Sequence, residues 1–368
     1  RENSFDLSFI QSRLKSHEAI HYFFRPHFLK SWQDSYEFII SNGMILIRKT
    51  QLSSNNLIKD AYNEVTDFNS MGTTDNLDTL SKSIYGRYKT YLKGITKIIF
   101  VADGDMKFIP FHALKYQDQF LIENYEITYL PHIGSMQYLE NDVTFTSFFG
   151  VGNPAIGEQS FELFSKRGFT DFKSLSSLAE TEIEINDIAK YFAKSNVLLG
   201  KNATEEKLRL NKLNLKSSLI YFGTHSLPFS NNISDEPGLI LTPPLYYETN
   251  ENDGILTLSD IASINFEGSK IALSACKTFD SAYLNAEAYS GLASAFYLSG
   301  ANSVYLTMWE IESFSAVIFN QVLFQEIHLN NKSFTAALQS TSKQFIDGKF
   351  GNQYSHPAFW APYINLGL

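Results

Sequence analysis

One cysteine, Cys276, stands in a chain of 368 residues. It cannot form an internal disulfide, so nothing here calls for an oxidising compartment. No apolar run approaches the roughly 20 residues that a membrane helix needs, and no charged n-region leads into an apolar stretch. These absences set the expectation of a cytoplasmic chain that makes no membrane contact. Long basic runs are also missing and the formal net charge is −9, which argues against nucleic acid as the main partner. Arg1 rather than Met comes first, so the chain is expected to be a processed or excised part of a longer protein. What is plentiful is apolar surface. Hydrophobic residues make up 44% and aromatic residues 15%, enough for a sizeable core and against disorder. The length suits two domains of roughly 100–200 residues each.

Two short apolar runs organise the sequence, and each ends on a reactive side chain. The first is Leu219-Ile220-Tyr221-Phe222-Gly223-Thr224-His225; the second is Lys270-Ile271-Ala272-Leu273-Ser274-Ala275-Cys276. Runs of this length suit strands buried on both faces of a parallel sheet. Between them, Thr257-Leu258-Ser259-Asp260 reads as a capping box that opens a helix over 258–264, and Gly268 marks the return. A strand, crossover helix and strand form a right-handed unit, so both strands run the same way. His225 and Cys276 then emerge at the carboxyl edge, where open α/β sheets place their sites.

A thiol and an imidazole at one edge have an obvious chemistry. Cysteine attacks only as thiolate, and its free pKa of about 8.5 means it needs help near neutral pH. A histidine can take that proton and later return it to a leaving amine. Lys277 would favour the thiolate further if it turns inward. The backbone N–H groups of Cys276 and Ser226 are the candidate oxyanion donors. The plainer reading stands beside this one: an isolated cysteine in an apolar strand is often a small buried hydrophobe, and a strand-end histidine is often structural. The spacing of about 50 residues from His to Cys, as in caspases, favours catalysis.

The same residues carry a family resemblance. Phe222-Gly223-Thr224-His225 and Leu273-Ser274-Ala275-Cys276-Lys277-Thr278 resemble the His and Cys motifs of the CHAT-domain cysteine peptidases, relatives of caspases and separases in clan CD. Other stretches agree in order: residues 98–114, ending in Pro110-Phe111-His112-Ala113-Leu114; Ile127-Thr128-Tyr129-Leu130-Pro131; Gly150-Val151-Gly152-Asn153-Pro154; residues 291–309; and His356-Pro357-Ala358-Phe359-Trp360-Ala361-Pro362-Tyr363. The resemblance covers nearly the whole chain. It implies an α/β, caspase/hemoglobinase-like three-layer fold with a mostly parallel central sheet. Residues 146–368 would be the catalytic domain and residues 1–145 a degenerate, non-catalytic caspase-like half. It also implies a Cys276–His225 dyad with no metal or organic cofactor, a protein substrate, and an activating protein or fused sensor region in a bacterial defence or stress circuit. The rival is a catalytically silent scaffold of the same fold.

Three positions depart from the family pattern. Ser226 replaces the usual glycine after the histidine, and would be strained if that position needs φ > 0. Lys277 replaces a commonly acidic residue, and Met308-Trp309-Glu310-Ile311-Glu312 replaces the usual Leu-Trp and downstream aspartates. Asp280, Glu310 and Glu312 are the acidic candidates for the substrate pocket, where any of them would favour a basic residue before the scissile bond. Alternatively, Glu310 and Glu312 are solvated beyond the strand end.

Elsewhere several motifs invite other chemistries. Residues 7–24 show helix-type periodicity, and His17-Glu18-Ala19-Ile20-His21 inside them matches H-E-x-x-H, a zinc peptidase signature when carried on a helix. His27 and Glu37 are the nearest third ligands; the alternative is a solvated helix end followed by a hairpin, 36–40 and 44–47, around Asn42-Gly43. Asp103-Gly104-Asp105 is a turn without calcium-loop spacing. Gly150 and Gly152 fail the dinucleotide spacing and read as a tight strand-to-loop turn. Residues 157–177 read as a mobile loop. Glu180, Glu182 and Glu184 read as the solvated, acidic start of a helix over 178–192.

Overall fold

The computed structural model describes residues 6–24, 35–50, 55–67, 72–86, 92–139, 145–157, 164, 175, 177–227, 236–244, 252–274, 287–309 and 311–368. Among them the strands, in chain order, are β1 Glu18–Phe24, β2 Ser35–Ser41, β3 Met44–Thr50, β4 Lys97–Ala102, β5 Lys115–Tyr116, β6 Gln119–Phe120, β7 Glu126–Leu130 and β8 Ser147–Gly152. They continue as β9 Lys194–Leu199, β10 Ser218–Gly223, β11 Ser226–Leu227, β12 Gly238–Ile240, β13 Ile255–Thr257, β14 Lys270–Leu273, β15 Ser303–Thr307 and β16 Tyr363–Leu366. No helix among these residues is long and apolar enough to cross a membrane. Two compact units result: Arg1–Asn141 with Gln325–Leu368, and Asp142–Phe324.

In the first unit the strand order is β3-β2-β1-β4-β7-β16. β1, β4, β7 and β16 pair in parallel, whereas β2 and β3 add an antiparallel hairpin turned at Asn42-Gly43. Residues Gln325–Leu368 join this unit through specific bonds. The Thr128 hydroxyl contacts the carbonyls of Asn365 and Gly367 at 2.9 and 2.8 Å, and the Thr335 hydroxyl donates to Glu126 at 2.6 Å. The short helix starting at Pro357 is capped by His356, whose Nδ1 accepts from the Ala358 N–H at 3.2 Å.

The H-E-x-x-H reading fails here for a geometric reason. The helix is only Leu7–Ser12, and Glu18–Phe24 is a strand, so Glu18 and His21 are not on one helix face. β1 lies between β2 and β4 and carries the aromatic residues Tyr22, Phe23 and Phe24, which suit a pleated, buried surface. His21 is 2% exposed; its Nε2 pairs with Glu37 and its Nδ1 meets the Tyr85 hydroxyl at 3.2 Å. Arg48 closes the group by donating to Glu37 at 2.7 Å, and Glu18 faces Lys97 at 3.4 Å. His21, Glu37 and Arg48 form one hydrogen-bonded set and Glu18–Lys97 a separate pair; among the described residues no set of three or more His, Cys, Asp or Glu could hold a metal ion.

Three of the motif segments meet at His112. The imidazole is 1% exposed, donates from Nε2 to the Ala361 carbonyl at 2.9 Å and accepts at Nδ1 from the Tyr129 hydroxyl at 2.6 Å. Tyr129 oxygen also accepts the His112 backbone N–H at 3.2 Å. Burial pushes the imidazole pKa down to about 4, because the cation would be stranded away from water. The folded state therefore keeps His112 neutral, while the unfolded chain protonates it near pH 6.5. Its contribution is present above pH 6.5 and is lost as the pH falls towards 4. The expected outcome is that the stability advantage of the wild type over His112→Gln shrinks by roughly 2 kcal/mol between pH 7 and pH 5. Urea unfolding at the two pH values measures it; an unchanged difference would contradict the neutral, doubly bonded imidazole.

Candidate active site

The second unit centres on a parallel sheet ordered β15-β14-β10-β8-β9. Every residue of β10 and of β14 is buried, as the apolar runs that follow Ser218 and Lys270 lead one to expect. The two strands pair in parallel from Leu219 with Lys270 to Phe222 with Leu273. The next link is a bond from the Ser274 N–H to the Phe222 carbonyl, 2.9 Å. Both carboxyl ends therefore open at one sheet edge. The helix between the strands is Leu258–Ser263, capped as its sequence dictates: the Thr257 hydroxyl accepts the Asp260 N–H at 3.2 Å and the Asp260 carboxylate accepts the Thr257 N–H at 3.1 Å.

His225 sits just past the end of β10 and is half-buried. A small antiparallel sheet, β11-β12-β13, anchors it. The Ile240 N–H donates to the His225 carbonyl at 2.8 Å, and the Thr224 hydroxyl donates to the Ile240 carbonyl. Leu227, Ile240 and Ile255 form an apolar cluster beneath that sheet with Phe164, which is fully buried. Phe164 belongs to the stretch read as a mobile loop; most of that stretch lies outside the described residues. Ser226 is half-buried on β11 opposite Leu239, and its φ is not positive, so the serine carries no backbone strain. Because His225 and Ile240 form the hydrogen-bonded pair, the adjacent Ser226 N–H directs away from β12.

Cys276, Lys277, Asp280 and Glu310 lie outside the described residues. Glu312 is described and exposed: its Oε1 accepts the Phe314 N–H at 3.1 Å and its Oε2 the Ser315 N–H at 2.7 Å. That carboxylate caps the start of the Ser313–His328 helix, a favourable place for negative charge.

Glu184 was missed by sequence reasoning. It belongs to the Ala179–Ala189 helix and was read as part of a solvated acidic face, but it is 3% exposed. Glu182 stands two residues from each of the others and so on a different face, whereas Glu180 and Glu184, four apart, share one. Glu182 accepts from Asn153 at 3.1 Å, whereas Glu184 turns to the sheet and meets the Ser274 hydroxyl at 3.4 Å. Burial pushes the Glu184 carboxyl up to about 7, against hydrogen bonds from Tyr221, Asn320 and Ser274 that pull it down. The sequence signal available was the apolar residue four positions on, Ile188, which marks that side of the helix as buried.

A sequence model of the CHAT domain matches residues 76–368. No curated protein matches the chain. Among solved structures, separase in the Saccharomyces cerevisiae separase–securin complex is similar with a TM-score of 0.59 at 11% identity. That match covers 98% of this chain but 30% of the separase chain. A second structure of the same complex gives a TM-score of 0.53, again at 11% identity and covering 98% and 30%. The Arg-specific cysteine proteinase gingipain R matches with a TM-score of 0.48 at 12% identity, over 85% of this chain and 73% of that one. The separase likeness establishes the fold: a mixed α/β architecture with mostly parallel strands, of the caspase-like type.

Gly150, Gly152 and Gly223 explain how that helix lies so close to the sheet. The first two are inside β8, not in a turn; the turn falls at Asn153, with φ 44°. A Cβ at Gly150 would stand 2.4 Å from Ile185 Cγ2, and one at Gly152 2.3 Å from its Cδ1. At Gly223 a Cβ would meet Thr181 Cβ at 2.7 Å, an atom that moves only with the helix backbone. Gly223→Ala is therefore expected to destabilise by about 1–3 kcal/mol. Thermal unfolding checks this, and an unchanged midpoint would contradict the close approach.

Proposed function

The chain belongs to the CHAT domain family, and on that premise we propose that it is a cysteine endopeptidase with Cys276 as nucleophile and His225 as general base and acid. The observation that supports this best is the register of β10 and β14. Partners along the pair are offset by 51 residues, as Leu219 is from Lys270, and His225 and Cys276 have the same separation. Ser274 is fixed to β10, and two further residues span at most about 7 Å. That short reach supports the reading that Cys276 acts beside the end of the strand that delivers His225.

The proposed reaction balances without a metal or organic cofactor. His225 takes the thiol proton, and the thiolate adds to the scissile carbonyl carbon. The N–H groups of Cys276 and Ser226 hold the resulting oxyanion. Collapse expels the amine, which receives the proton from the imidazolium, and leaves a thioester. Water then gives a proton to His225 as it attacks, releasing the carboxylate product and restoring the thiol. The direction of the Ser226 N–H, away from β12, supports its nomination.

The proposed substrate is a protein with a basic residue before the scissile bond. Asp280 and Glu310 carry this part, since Glu312 already caps a helix. A cytoplasmic setting, an activating protein or sensor region, and a place in bacterial defence or stress responses rest on the family resemblance alone.

Incubating the protein with a mixed peptide library and reading new termini by mass spectrometry tests the reading. Cleavage by the wild type should vanish in Cys276→Ala and fall at least about 100-fold in His225→Ala. Cleavage that survives Cys276→Ala, or none by the wild type alongside its activators, contradicts it. In the same library Glu310→Gln should lower the preference for basic residues; unchanged selectivity would remove Glu310 from the pocket.

A further inference from the structure

Glu184 takes no part in the proposed chemistry, yet it touches the strand that leads to it. Its carboxylate accepts from the hydroxyl of Ser274, the residue after β14, at 3.4 Å, and the side chains of Tyr221 on β10 and Asn320 on the Ser313–His328 helix act to keep its pKa down. Behind it the Tyr305 hydroxyl, on β15, donates to Asn320 Oδ1 at 2.7 Å, and Asn320 Nδ2 donates to the Tyr221 oxygen at 3.3 Å. Tyr221, Tyr305 and Asn320 are each 1% exposed or less. A buried side-chain network thus joins β10, β15 and the helix beside a carboxyl that is bonded to the end of β14. Its Oε1 has no hydrogen-bond partner among the described residues, and it borders a cavity of about 30 Å³ lined also by Thr181, Ser274, Ile311, Ala316 and Val317.

We propose that Glu184 is a positioning residue for Cys276: through Ser274 it sets the carboxyl end of β14, and its proton decides how that end is held. Ionised, the carboxylate only accepts, and takes the Ser274 hydroxyl; protonated, it also becomes a donor and the bond to Ser274 must adjust. In an apolar surround such a change of role is costly and therefore decisive for geometry. Among the described residues, the titratable groups that face it are Glu180 on its own helix, Tyr221 on β10 and, through Asn320, Tyr305 on β15. None of these is a cation, so burial dominates and the carboxyl changes state near neutral pH. The Ser313–His328 helix contributes Asn320, Ala316 and Val317, all uncharged. The effect on the thiol stands without peptidase activity; only its consequence for cleavage rests on the function proposed above.

Cys276 is the one cysteine in the sequence, so its alkylation by iodoacetamide, followed by intact mass from pH 5.5 to 9, reports on it alone. The wild-type rate profile should show a step near pH 7 besides the thiol's own. Glu184→Gln and Ser274→Ala should each lose that step, while both retain His225 and any step it causes. In peptide cleavage, Glu184→Gln should lower kcat about 10-fold with KM changed less than about 2-fold, as expected for a displaced nucleophile. Profiles of both variants superimposed on the wild type would overturn the proposal. If Glu184→Gln does not fold, Ser274→Ala decides, since it cuts the link while Glu184 itself is kept. A step lost in the variants of a protein that cleaves nothing keeps the positioning role and sinks the peptidase. Cleavage that needs Cys276, with alkylation profiles unchanged, does the reverse.

Discussion

The pairing of β10 with β14 is the constraint on which the candidate site depends. Parallel strands need a crossover between them, and the chain uses that crossover to build β11, β12, β13 and the capped Leu258–Ser263 helix. The result is that the residue leaving β10 is anchored on both sides. Its carbonyl is held by Ile240, and the threonine before it is bonded to the same strand. On the other strand the ladder reaches Ser274. Backbone hydrogen bonds alone therefore fix the residue that leaves β10 and the end of the strand beside it, without any interaction between reactive side chains being required.

Buried polar groups divide into two kinds. His112 and His21 have a partner for each ring nitrogen, and each joins segments far apart in sequence within the first unit. Such closed sets specify a packing arrangement because an unmade bond there costs about 1–3 kcal/mol. Glu184 differs, with one oxygen lacking a partner among the described residues and a carboxyl whose charge is barely tolerated. Perturbed groups of that kind concentrate at functional sites. Glu205 resembles it in being fully buried and pushed up to about 8, but one of its oxygens accepts the N–H groups of Asp253 and Gly254, which gives it a structural task.

The two strands of the site were legible because burial on both faces leaves an unbroken apolar run, and the capping box was legible because its chemistry is local. The Asn42-Gly43 hairpin was readable for the same reason. Residues 18–24 were not, since their apolar positions fit a helical period and only pairing with β2 and β4 decides for a strand. The inward turn of Glu184 depends on three glycines that let a helix approach the sheet, a tertiary fact that a run of acidic residues conceals. The membership of Gln325–Leu368 in the first unit likewise depends on long-range bonds such as His112 to Ala361. The candidate dyad was named from motif and spacing. The structure adds the strand register and the anchoring of His225.

The central claim is that His225 activates Cys276 for attack on a peptide carbonyl. The most direct measurement is the rate of covalent labelling by a basic peptidyl ketone electrophile, with the modified residue located by peptide mapping. Labelling of the wild type confined to Cys276, and at least about 100-fold slower in His225→Ala, is the result this account predicts. Labelling at equal rates in the two proteins, or modification by a simple alkylating agent but never by the peptidyl reagent, would contradict it.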